Sequence, residues 1–107
     1  MPIFTGTIFR KLEYMEHYKW NKEKNEKLKT ERGVSFEQIA MHIERDDVLD
    51  IVEHPNQKKY PNQQLLVVEI NNYAYLIPFV EDENGKFLKT IIPSRKATRD
   101  YLGGKNE

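Results

Sequence analysis

The chain has 107 residues, 32% of them charged, 38% hydrophobic and 11% aromatic, and it contains no cysteine. This length supports one domain with one modest core. The missing cysteine excludes disulfide scaffolds and thiolate metal sites, and no apolar run approaches the roughly 18 residues of a membrane span. With no leader-like apolar segment either, a cytoplasmic protein without membrane contact is expected.

The 17 basic and 17 acidic side chains cancel, but unevenly along the chain. Residues 1–36 hold eight basic against five acidic side chains, residues 37–85 three against ten, and residues 86–107 six against two. The ends of the sequence could therefore meet a polyanion and the middle could not, so a nucleic-acid role would be a localised site and not a general coat of charge.

Residues 1–15 read as an N-terminal extension and residues 16–107 as a single domain. Glu16 to Trp20 suits a short strand. Asn21 is a good N-cap, Lys22 to Arg32 are strong helix formers, and Gly33 is a stop signal. That helix has little apolar stripe beyond Leu28. Ser35-Phe36-Glu37-Gln38 forms a capping box, and Phe36, Ile39, Ala40 and Ile43 follow at helical spacing.

Val48 to Val52 suits a strand. His54-Pro55-Asn56-Gln57 and Tyr60-Pro61-Asn62-Gln63 repeat a Pro-Asn-Gln that reads as turn chemistry. Leu65 to Ile70 and Tyr73 to Val80 flank Asn71-Asn72, a two-residue hairpin signal. Glu83-Asn84-Gly85 turns into Lys86 to Ile92. Pro93 then ends the strand, and Ser94 caps a short C-terminal helix. The expected fold is α+β: two N-terminal helices on a three- to four-stranded antiparallel meander, then a short C-terminal helix, with the helices on one face.

Two segments resemble the BrnT family of toxins, within the RelE/ParE-like superfamily. One is Tyr18-Lys19-Trp20-Asn21-Lys22-Glu23-Lys24-Asn25 continued by Glu31-Arg32-Gly33-Val34-Ser35-Phe36-Glu37. The other is Thr90-Ile91-Ile92-Pro93-Ser94-Arg95-Lys96-Ala97-Thr98, similar to a family strand that ends in Ser-Ala-Arg-Lys-Ala-Thr. The resemblance spans roughly residues 16–102. It implies an endoribonuclease toxin of a type II toxin–antitoxin system that cuts RNA without a metal and halts translation. It also implies a cognate antitoxin as partner, with operator DNA met only through that antitoxin. Pro93-Ser94 departs from the Ser-Ala lead-in, and Tyr101 stands where an acidic residue is typical.

Metal-free RNA cleavage needs cations on the phosphorane, a base for the 2′-hydroxyl and an acid for the leaving oxygen. Arg95, Lys96 and Arg99 are the candidate cations. The two arginines, four residues apart, share a helix face, and their forks match phosphate bidentately. Cations in a first helical turn oppose the macrodipole, so their presence there argues for binding rather than stability. A solvated helix terminus is the plainer reading of such a run.

Lys89, on the strand face expected for Phe87 and Ile91, either snorkels at a sheet edge or lines a cleft. Tyr101 is a stacking or acid candidate, or else an anchor for the last helix. His54 is the candidate base, ahead of His17 and His42. No metal or cofactor is expected, since no histidine pair has ligand spacing and no phosphate loop or paired-carboxylate motif occurs. The competing reading keeps the RelE-like fold as a non-catalytic binding module in a protein or operator-binding complex.

Overall fold

The structure, a computed structural model, describes residues 18–103. The expected N-terminal extension, Glu16 and His17 of the first strand, and residues 104–107 lie outside the described residues.

Strand β1 (Tyr18–Lys19) leads into helix α1 (Lys22–Arg32). The helix begins where Asn21 Oδ1 accepts the Lys24 N–H at 2.8 Å, taking up an amide with no partner of its own in the helix. It ends at Gly33, whose φ of 68° suits a residue without Cβ and whose N–H returns to Lys29 O at 3.1 Å. Helix α2 (Phe36–Glu44) starts at Ser35, whose Oγ accepts the Gln38 N–H at 3.1 Å. Strands β2 (Val48–Glu53), β3 (Gln64–Ile70), β4 (Tyr73–Asp82), β5 (Gly85–Leu88) and β6 (Ile92–Pro93) follow, and helix α3 (Arg95–Leu102) closes the described chain.

The molecule is thus α+β, with three helices and a mixed sheet in the order β1-β5-β4-β3-β2, β6 joining β4. The expected antiparallel meander is the centre of this sheet and not the whole of it. Tyr18 and Lys19 run parallel to Lys86 and Phe87, so the outermost pairing joins residues nearly seventy positions apart. Two-residue strands carry no periodicity of their own, which is why the sequence shows a meander only.

Alternation along β3 divides the core in two. Leu66, Val68 and Ile70 meet Phe36, Ile39 and Ile43 of α2 and Leu28 of α1, with Ile77, Phe79, Leu88 and Ile91 completing that layer. Phe36, Ile39, Ile77, Leu88 and Ile91 are fully buried, each contributing on the order of 1.5–3 kcal/mol by leaving water. Val67 and Ala74, on the opposite face, pack with Ala97 of α3, flanked by Leu49 and Leu76. The third helix therefore lies on the far face, correcting the expectation that all helices share one side. Helical periodicity shows that Ala97 is buried but not against which face.

The two stretches of the first motif meet in space. Asn25, 2% exposed, accepts the Phe36 N–H at 2.8 Å and donates through Nδ2 to Glu37 Oε1 at 2.8 Å. Trp20 stacks on Phe36 with ring centroids 5.6 Å apart. Arg32 reaches across to donate to Ile91 O at 2.6 Å, tying the end of α1 to the segment before β6.

Candidate functional site

Helix α3 is seated by four hydrogen bonds around the start of β4. Ser94 N–H donates to Ala74 O at 3.0 Å, and the Ala74 N–H donates to Thr98 Oγ1 at 2.8 Å. Thr98 Oγ1 in turn donates to Ser94 O at 2.7 Å, while Ser94 Oγ accepts the Ala97 N–H at 3.0 Å. In Ser94-Arg95-Lys96-Ala97-Thr98 the uncharged residues are thus the seat: Ser94 caps, Ala97 lets the helix approach the sheet, and Thr98 closes the link. The charged residues project away from it.

Arg95 and Arg99 line one open cleft of about 520 Å³ between α3 and the β3–β4 turn, together with Asn71, Asn72, Tyr73, Thr98 and Gly103. The volume falls in the range of about 300–1,000 Å³ common for small-ligand sites. Arg95 makes no ion pair or hydrogen bond among the described residues, and the only carboxylate paired with Arg99 there is its neighbour Asp100, at 4.0 Å. Exposed pairs at that distance hold little energy. Both guanidinium groups therefore remain available to an anion. Lys96 lies outside the lining set, as its helical position dictates.

The other candidate residues are not brought to this cleft. His54 follows β2, where its N–H donates to Gln63 O at 3.0 Å, beside the first residue of β3. The cleft adjoins the last residue of β3, six residues or about 20 Å further along the strand. His54 Nδ1 also accepts the Asn56 N–H at 3.0 Å, and the ring lies against Tyr60 at 4.5 Å. That bond puts the proton of the neutral ring on Nε2, which then presents a donor. A second pocket of about 250 Å³ sits at this end, lined by Glu53, Gln57, Asn62, Gln63 and Gln64.

Lys89 is exposed, its Nζ 5.3 Å from the Phe87 ring centroid. Phe87 and Lys89 share the exposed face as expected, but Ile91 does not join them. Strand β5 stops at Leu88, Lys89 N–H donates to Pro78 O at 2.8 Å, and the irregular residues after it return Ile91 to the core with Leu88. Tyr101 donates its hydroxyl to Asp50 Oδ2 at 2.6 Å, joining α3 to β2. That bond, first among the causes, raises the phenol pKa above its ordinary 10.0, with burial and the charges of Asp50 and Asp100 adding to it. The contact makes Tyr101 an anchor of α3 on the side away from the arginines.

Asn71, Asn72 and Tyr73 carry no catalytic signal in the sequence, where Asn71-Asn72 reads as turn chemistry alone. Only the fold places them opposite the arginines. Among the described residues no group of histidine and carboxylate side chains could hold a metal ion, and no helix is long and apolar enough to cross a membrane. No protein-family model, curated protein or solved structure matches the chain.

Proposed function

We propose that the chain is an endoribonuclease toxin of a type II toxin–antitoxin module, a BrnT-like member of the RelE-like superfamily, held in check by a cognate antitoxin. The observation that supports this most is the placement of Arg95 and Arg99 on one cleft, with no competing ion pair to Arg95 among the described residues. Two guanidinium forks at one opening suit a phosphodiester.

In the reaction, the ribose 2′-oxygen attacks the adjacent phosphorus and the bond to the 5′-oxygen breaks. A 2′,3′-cyclic phosphate and a 5′-hydroxyl result. The proton lost by the 2′-hydroxyl goes to a hydroxide ion, and water gives one to the leaving oxygen, regenerating hydroxide. Arg95 and Arg99 stabilise the dianionic phosphorane, the step in which positioned charge lowers a barrier most. Lys96 adds field without touching the phosphate, and no cofactor takes part.

The absence of carboxylate and imidazole side chains among the described residues that line the cleft favours a second reading, a non-catalytic binding module on the same fold. Induced expression in a bacterial host without the partner separates the two. Growth arrest with loss of RNA, abolished by Arg95→Ala with Arg99→Ala, supports the enzyme. Unimpaired growth with intact RNA supports the module.

A further inference from the structure

Resting on that reading of the cleft, we propose that Asn71 reads the base beside the bound phosphate and that the preferred base is adenine. Asn71 and Asn72 occupy a two-residue turn between the paired residues Ile70 and Tyr73, with φ of 53° and 65°. Both angles lie in the left-handed region, as a type I′ turn demands, and glycine is the residue that geometry favours at the second place. Asparagine at both places keeps two carboxamides at the tip, on the wall of the cleft that faces Arg95 and Arg99.

The Asn71 carboxamide enters no hydrogen bond among the described residues, and the residue is exposed. Thr98, by contrast, already gives and receives one hydrogen bond in seating the helix. The polar groups of the cleft thus divide by chemistry. The arginines offer only donors and suit phosphate oxygens, whereas the carboxamide offers one donor and one acceptor side by side. Adenine presents the complement on both of its open edges, N6 beside N7 and N6 beside N1. Guanine presents two acceptors on the N7 edge and the pyrimidines lack N7, so each of these offers the complement on its pairing edge alone. The turn forms the wall opposite the arginine fork, and an unpaired nucleotide can offer it that edge, which in duplex RNA is shut inside a deep, narrow groove.

The test uses fluorescent uridine pentamers with adenosine, guanosine, cytidine or uridine at the centre and 2′-O-methyl sugars, which bind but cannot be cut. The adenosine-centred pentamer binds the parent protein about tenfold tighter than the others, a margin typical of one bidentate base contact. Asn71→Gly, which the turn accepts without strain, reduces that margin below about twofold. Asn71→Asp keeps the acceptor, loses the donor and moves the preference toward cytidine, whose N4 donates. Equal binding of all four pentamers by the parent overturns base reading, as does an adenosine preference that survives Asn71→Gly. If Arg95→Ala with Arg99→Ala binds all four as tightly as the parent, the cleft reading itself fails and takes this one with it. If that variant loses all four equally, the phosphate role stands, and the glycine result alone decides the role of Asn71.

Discussion

Thr98 Oγ1 accepts the backbone N–H of Ala74 at 2.8 Å, so a side chain of α3 completes the hydrogen bonding of the strand beneath it. Thr98 is 5% exposed and Ala74 fully buried, and water cannot replace the bond. Thr98→Val keeps the shape, strips the hydroxyl and leaves that N–H unsatisfied, at a cost of about 1–3 kcal/mol. Urea unfolding reads the loss. Thr98→Ser restores most of it, and because Thr98 stands between Arg95 and Arg99 in sequence, RNA cleavage falls and recovers in parallel.

Asn25 joins the two helices on the other face, and acid sensitivity exposes the link. Its Nδ2–H bond is the largest cause that holds the Glu37 carboxyl pKa below the ordinary 4.5; burial, next in size, opposes it, and a backbone bond, the Lys29 charge and Ser35 add to the lowering. A lowered folded pKa gives stability that is present above 4.5 and lost as pH falls through the lowered value. Asn25→Ala flattens that loss in an acid titration of unfolding. It also leaves the buried Phe36 N–H unpaired, destabilising by about 1–3 kcal/mol at neutral pH.

Tyr101 gives the opposite sign. Its folded pKa is raised, so its contribution is present below the ordinary 10.0 and disappears as pH rises through the raised value. Tyr101→Phe removes this alkaline component from the stability profile. In ultraviolet difference spectra of parent minus variant, the missing phenol titrates above 10.0. RNA cleavage persists in Tyr101→Phe, because the ring anchors α3 to Asp50 and does not line the cleft.

These contacts also show how far the sequence can be read. Asn21, Gly33, Ser35 and Ser94 mark helix ends through bonds made within four residues, and each boundary stands where local chemistry sets it. The same holds for Arg95 and Arg99, whose shared side follows from helical spacing alone. Burial of Asn25 was open to the same logic, since it lies one turn before Leu28 on the α1 stripe. The face chosen by α3, the parallel pairing of β1 with β5, and the placement of His54 and the arginines at opposite ends of β3 depend on partners distant in sequence. For Lys89 and Ile91, strand alternation misled because β5 ends three residues before Ile91.

Among the described residues no imidazole or carboxylate lines the cleft, so the proposed reaction draws on hydroxide as its base, and the expected rate of cleavage rises roughly tenfold per pH unit through neutrality. A histidine base would instead give a plateau above about 6.5. His54→Ala retains the parent pH profile, and a plateau lost in that variant would place the base at His54 after all.

The most direct test of the arginine cleft is cleavage of a single-stranded RNA by purified protein in excess chelator. The parent yields fragments with 2′,3′-cyclic phosphate and 5′-hydroxyl ends, and Arg95→Ala with Arg99→Ala, folded as judged by thermal unfolding, cuts at least about 100-fold more slowly. A double variant that cleaves at the parent rate would contradict the assignment of this cleft.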